Sequence, residues 1–340
     1  MGRKHYFESP AIAASGVLGF TGEGYKHYKI LNILTFGLFN YILRNCIVFQ
    51  SKTTTAFANK GNALLAQDGF SLKRMMPSCV ATNVWRGWMV NNFSLSGPGL
   101  EFFIKQGVWH EFTKEFHLSI MLIGKTAEGR KREALHIVSL LQWSIYKFKA
   151  YRNSKVFLNW NISCPNTGHD AQADFLGSFE EEYRILSRLR LPILVKVGWQ
   201  FPISVAKRLQ KFEFIYGFVS INTIPFNELP LDTKEKYFKK DKNGEFISPL
   251  DKYQDEFNVK GRGGVSGHPI RPYALAWIRN ARKAGIKKPI IGGGGIMNPY
   301  NVWQFKKAGA TAISLGSGIS LRFWNLPLII WAARVFFKEH

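Results

Sequence analysis

Several polar residues break apolar, β-branched runs, and they do so where the runs end. Asn159, Asn161, Ser163, Cys164, Pro165 and Asn166 close the run that begins at Lys155. Asn222 and Thr223 close the one that begins at Gly217, and Lys52, followed by Thr53, Thr54 and Thr55, closes the one that begins at Cys46. Lys196 stands inside ILVKVGW. A buried polar group costs free energy unless it has a partner, so polar groups gathered at strand ends point to a bound ligand. An ammonium in a parallel strand covered on both faces would be desolvated and would tend to lose its proton. An anionic partner for Lys196 removes that cost.

Glycine clusters supply the second half of such a site. Gly292-Gly293-Gly294-Gly295 and Gly316-Ser317-Gly318 each end an apolar run. Backbone N–H groups left bare by glycine can approach a phosphate closely, and a helix start adds favourable dipole. A third cluster, from Gly261 to Gly267, would let backbone lie against a flat ring system. Reduced flavin carries negative charge near N1 and O2, and Lys196 would stabilise it there.

These residues need a frame that brings strand ends together. Eight short runs read as strands: 11–15, 46–52, 118–124, 155–163, 192–198, 217–222, 289–294 and 311–317. Amphipathic stretches lie between most of them, among them 180–190 and 274–285, the latter ending at Gly285 as a helix-terminating glycine. Strands alternating with helices build a parallel sheet, and eight of them predict a closed (β/α)8 TIM barrel, an α/β fold with its active site at the C-terminal strand ends. One domain over 1–340 is expected, with a charged insertion at 224–262 after the sixth strand acting as a substrate loop and a C-terminal helix over 319–340.

Composition excludes several classes. With 46% hydrophobic residues and 20% charged ones, the chain is not disordered. Cys46, Cys79 and Cys164 form no CxxC pair, so neither a disulfide scaffold nor an iron–sulfur or zinc site in this chain is expected. A net charge of +23 attracts anions without choosing among them. No signal peptide and no apolar run long enough to span a bilayer is visible, which predicts a cytoplasmic protein. Leu31 to Phe49 and the tail around Pro327 are read as buried helices, with a peripheral membrane contact by the tail as the disfavoured alternative.

In order along residues 10–320 the chain resembles the dihydroorotate dehydrogenases, flavin mononucleotide (FMN) barrel enzymes of pyrimidine biosynthesis. AASG (13–16), SKTTT with KGN (60–62), NNFSLSGPG (91–99), NISCPN (161–166), VKV (195–197), INT (221–223), GGVSGHPIRPYAL (263–275) and the two phosphate glycine motifs carry the likeness. The resemblance implies that Cys164 is the base of the cytosolic, cysteine-using class. It would take the C5 proton of dihydroorotate while a hydride leaves C6 for the flavin. Free cysteine has a pKa of roughly 8.5, so such a rate rises with pH until the thiol ionises. Lys196 would stabilise the reduced flavin.

By the same resemblance, Asn91, Asn161, Asn166 and Asn222 bind the pyrimidine, with Thr223 beside them; amide groups suit its alternating N–H and C=O edge. Phe93, Ser94 and Leu95 belong to the substrate segment, and Lys52 lies near flavin and substrate. Ser15, Thr53, Asn161 and Lys196 match flavin contacts; Gly264, Gly294, Gly295, Gly316 and Ser317 match backbone flavin and phosphate contacts. Ser94 replaces a glycine of the family's pattern and Gly97 an asparagine.

Two related flavoenzymes are the alternatives, a dihydropyrimidine dehydrogenase and an RNA-binding tRNA-dihydrouridine synthase. Asn166 stands against the first, and the asparagine set with GGVSG against the second, so nucleic acid is not expected as a partner. A homodimer and an electron-transfer partner subunit are expected from the resemblance.

Overall fold

The computed structural model describes residues 6–153, 155–162, 175–254, 259 and 261–338. Its main sheet joins eight strands, all paired in parallel: β1 (Ala11–Ala13), β2 (Phe49–Gln50), β5 (Phe116–Ile120), β6 (Val156–Asn161), β7 (Ile193–Val197), β8 (Ile215–Ser220), β11 (Ile290–Gly293) and β12 (Ala312–Leu315). The two ends of this sheet meet where Ile12 pairs with Val48, with Ala13 N donating to Val48 O and Val48 N to Ala11 O, both at 2.9 Å. The (β/α)8 barrel is therefore closed.

Side-chain alternation divides each barrel strand between two cores. In β7, Ile193, Val195 and Val197 pack outward into the main hydrophobic core, while Leu194 joins Ile12, Val48, Phe157, Val219, Ile291 and Ala312 inside the barrel. Phe7 caps this inner cluster from the N-terminal end, against Phe157 and Tyr216. Higher up, Asn159 Nδ2 donates to Gln50 Oε1 at 3.0 Å, and above that layer lie the C-terminal strand ends.

The outer layer holds helices α1 (Lys26–Leu34), α2 (Leu38–Asn45), α3 (Leu100–Lys105), α4 (Ala127–Ser144), α5 (Lys149–Arg152), α6 (Phe175–Leu186), α7 (Ile203–Leu209), α8 (Leu231–Tyr237), α9 (Arg271–Lys283), α10 (Pro299–Ala308), α11 (Ser317–Leu321) and α12 (Leu326–Phe336). Thr126 caps α4 by accepting from Gly129 N, and Asn298 caps α10 ahead of Pro299. Helix α9 ends at Lys283, and Gly285, just past the cap residue Ala284, takes φ +85° as a helix-terminating glycine should.

A second, antiparallel sheet was not legible in the sequence. It runs β3 (Val80–Asn83), β4 (Trp88–Asn91), β10 (Gly264–Gly267) and β9 (Ile224–Pro225). The β3–β4 hairpin belongs to the segment after barrel strand β2, and β9 and β10 to the segment after β8. The 224–262 insertion after the sixth barrel strand thus begins as a strand of this sheet and contains α8.

Four expectations need correction. The strand expected at 118–124 is β5, and it ends at Ile120; the one expected at 46–52 is regular only at Phe49–Gln50. Leu31–Phe49 is not one buried helix. It spans the α1–α2 hairpin, and Ile33, Leu34, Phe36, Leu38 and Tyr41 are exposed. The C-terminal helix expected over 319–340 is two, α11 and α12, separated by a single 3-10 turn at Phe323–Asn325.

Leu194 is fully buried in the barrel interior, among seven other buried side chains that cannot collapse inward without breaking the ring. Leu194→Ala is expected to cost about 2 to 5 kcal/mol in denaturant unfolding. A loss well under 1 kcal/mol would contradict this account of the inner core.

Candidate active site

A cavity of about 430 Å³ opens at the C-terminal ends of the barrel strands. Its floor and walls carry Ser15, Lys52, Thr53, Asn161, Lys196, Asn222 and Thr223, each from the end of a barrel strand or the residues just after it. Strand register sets the central pair: Asn161 of β6 stands directly beside Lys196 of β7. Asn222 Nδ2 donates to Asn161 Oδ1 at 3.3 Å, and Asn222 Oδ1 accepts from Thr223 N at 3.0 Å. On the other side, Ser15 Oγ lies 2.8 Å from Thr53 Oγ1, which lies 2.9 Å from Ser119 Oγ. These linked hydroxyls fix the rotamers that face the cavity.

The small sheet forms one wall. Met89 and Asn91 of β4 line the cavity, while Val90 between them is buried away from it. Phe93, Ser94 and Leu95 follow in the same wall. Ser94 takes φ +48° and Leu95 φ +60°, the left-handed region that favours glycine. The serine expected to stand in place of a glycine thus takes a conformation that favours glycine. It is held by Asn62 Nδ2 donating to its Oγ at 3.0 Å and by its Oγ donating to Asn92 Oδ1 at 2.8 Å.

Lys52 is the most constrained charge. Its Nζ lies over the Phe20 ring at 4.6 Å and the Phe93 ring at 5.6 Å, and donates to Ser96 O. Burial lowers its pKa from 10.5 to about 8. Lys196, expected to be enclosed on both faces, is instead half-buried and borders the cavity.

The glycines divide into two groups. Gly294, at φ +116°, and Gly316 line the cavity with Ser317. Gly295 and Gly264 do not. A Cβ on Gly295 would meet Gly267 O at 2.5 Å, so its bareness lets two chain segments approach. Gly264 sits within β10 between Asn91 and Pro225, and Ser266 and Gly267 of that strand face the cavity in its place. Cys164 and Asn166 lie outside the described residues.

The sequence pattern gave no sign of Tyr25, His27, Met75, Met76 or Thr82, which also line the cavity. Tyr25 Oη donates to Gly16 O, and burial raises its pKa. His27 Nδ1 is buried without a hydrogen-bond partner among the described residues, and burial lowers the pKa of its ring. None of these residues belongs to a strand-end motif, so only the folded chain gathers them. A larger cavity, about 930 Å³, opens at the opposite, N-terminal end of the barrel, but it contains none of the expected site residues. The expected site residues that lie at a cavity gather at the smaller one.

A family model for dihydroorotate dehydrogenase matches residues 3–325. Among curated relatives, the dihydroorotate dehydrogenase B (NAD(+)) catalytic subunit of Thermodesulfovibrio yellowstonii is 27% identical, over 92% of this chain and 84% of its own. The same-named subunit of Caldicellulosiruptor saccharolyticus is 25% identical, over 91% and 84%. Among solved structures, a DHODH of Eimeria tenella in complex with ferulenol aligns with a TM-score of 0.61 at 13% identity, over 98% of this chain and 82% of that one. This last likeness concerns the fold alone.

Because the folded pKa of Lys52 is about 8 and its ordinary value is 10.5, the unfolded chain binds more protons between those limits. Below pH 8 the cost of burying the ammonium is fully present; it is relieved as pH rises from 8 toward 10.5. Ligand-free Lys52→Met protein should gain stability over the parent at pH 7 by up to roughly 3 kcal/mol, shrinking toward pH 10. A difference that does not change with pH in unfolding experiments would refute the buried ammonium.

Proposed function

The chain belongs to the dihydroorotate dehydrogenase family, and from that premise we propose that it oxidises (S)-dihydroorotate to orotate with FMN in the C-terminal cavity. The observation that carries this reading is the convergence of Lys52, Asn91, Asn161, Lys196 and Asn222 on one cavity, drawn from both sheets.

The donor set suits FMN. Gly294 and Gly316 leave backbone bare to the cavity beside the Ser317 hydroxyl, as a phosphate requires. Ser15, Thr53 and Lys196 offer hydroxyl and ammonium groups for a polar ring edge. The cavity's size falls within the range of cofactor sites, about 300 to 1,000 Å³. When bound, FMN supplies the acceptor for the hydride that leaves C6.

Asn91, Asn161 and Asn222 orient the pyrimidine by pairing amide donors and acceptors with its N–H and C=O groups. The Asn222–Asn161 hydrogen bond holds two of these amides in a fixed relation before substrate arrives. Lys52 places positive charge beside the substrate segment, and Lys196 places it next to Asn161. Cys164 is assigned as the base that takes the C5 proton. Its support is the NISCPN motif, which runs on from Asn161 at the cavity floor.

The curated relatives named above are catalytic subunits of an NAD(+)-linked enzyme. By that likeness, a second subunit is proposed to carry electrons from this one to NAD.

Purified protein should carry FMN and turn over dihydroorotate in preference to dihydrouracil. Cys164→Ala should keep the flavin yet lower kcat by roughly 100- to 10,000-fold. An alanine variant with full activity at every pH would remove Cys164 from the mechanism. Asn222→Ala, which also removes the hydrogen bond to Asn161 Oδ1, should reduce kcat/KM by about 10- to 100-fold. An unchanged value would take the asparagine pair out of the site.

A further inference from the structure

We propose that Asn62 is a positioning residue for the substrate, acting through Ser94 and Asn92 rather than by touching the ligand. The inference deepens the catalytic reading given above and rests on it.

Phe93, Ser94 and Leu95 all line the cavity. In an extended strand consecutive side chains point to opposite faces, so only alternate ones could do this. The turn made by Ser94 and Leu95, at φ +48° and φ +60°, brings three consecutive residues to the wall. Both residues carry a Cβ, and the left-handed conformation costs free energy for any such residue. Contacts from outside the turn must therefore hold it.

Residues 59–63 supply them. Asn59 N donates to Gly97 O at 2.8 Å and Gly97 N to Asn59 O at 2.9 Å, which pairs the two segments at one point. Asn59 Nδ2 donates to Ser94 O at 2.8 Å. Asn62 N donates to Phe93 O at 3.1 Å, and Asn62 Nδ2 donates to both Asn92 O and Ser94 Oγ at 3.0 Å. Ser94 Oγ donates onward to Asn92 Oδ1 at 2.8 Å, and the buried Asn92 donates through Nδ2 to Gly261 O at 3.0 Å. The side chain of Asn62 thus starts a chain of hydrogen bonds that joins the segment after β2, the substrate segment and the close of the 224–262 insertion. The segments lie close together: a Cβ on Gly61 would meet Phe93 O at 2.5 Å and Ser94 O at 2.7 Å. Asn59, Asn62 and Asn92 do not themselves line the cavity.

Glycine at position 94 would take the same backbone conformation without steric cost, but it has no hydroxyl to be held. Serine needs the hold and supplies the atom for it. Asn62 therefore matters to the substrate because position 94 is serine, and that coupling is a signature that a general contribution to stability would not produce.

The test is a double-mutant cycle on the FMN-loaded protein, reading the Kd of orotate from the shift of the flavin absorption and the KM of dihydroorotate in turnover. Asn62→Ala should weaken orotate binding about fivefold to tenfold and raise KM to match, with kcat and FMN affinity within about twofold of the parent. Ser94→Ala, which keeps the Cβ and loses the hydroxyl, should weaken orotate binding in the same way. In Ser94→Gly protein the further change Asn62→Ala should cost less than about twofold. The proposal is overturned if Asn62→Ala binds orotate as the parent does, if that change costs as much in Ser94→Gly protein as in the parent, or if FMN affinity falls in step with orotate affinity. The last two results would make Asn62 a structural residue only. A parent that binds orotate while the variants match it overturns this inference alone, whereas a parent that binds FMN but no orotate overturns the catalytic reading with it.

Discussion

Parallel register around a closed ring is the constraint on which the rest depends. Once Ile12 pairs with Val48, every barrel strand is held at one height relative to its neighbours, and all the C-terminal ends open on one side. Alternation then decides which residues face the axis. It stacks an apolar layer around Leu194, the Asn159–Gln50 pair, and finally Asn161 and Lys196 side by side at the mouth. A shift of one residue in β7 would turn Lys196 into the outer core and bring an apolar side chain to the cavity. The polar groups at the rim are costly to desolvate, and the structure meets that cost with linked hydroxyls, paired amides and, for Lys52, two aromatic faces and a carbonyl.

Much of this frame is legible in the chain, because buried parallel strands read as short β-branched runs and the motif residues sit at their ends. Ser15, Lys52, Thr53, Asn161, Lys196, Asn222, Gly294, Gly316 and Ser317 come together as their positions at strand ends imply. The second sheet is illegible for a physical reason. Its strands are two to four residues long, and β4 pairs with β10 across a separation that includes half of the barrel strands. Local propensity carries little information about such pairings. Glycine runs mislead in a similar way, since bareness can serve backbone approach to another strand, as at Gly295, as readily as approach to a ligand.

The apolar run at Leu31–Phe49 shows the limit of hydropathy as a sign of burial. Composition alone cannot say that Phe39 and Leu43 face the core while Phe36 and Leu38 face water. The hairpin turn at Phe36–Gly37 makes that division, and it leaves apolar side chains in solvent.

The central claim is that the C-terminal cavity couples a bound flavin to a dihydropyrimidine carboxylate. Anaerobic titration of the purified protein with dihydroorotate, followed by the flavin absorption band, tests it most directly. The account predicts that one equivalent of dihydroorotate per bound FMN bleaches the band and releases one equivalent of orotate. A flavin that stays oxidised under excess dihydroorotate, or a protein that binds no flavin, would contradict it.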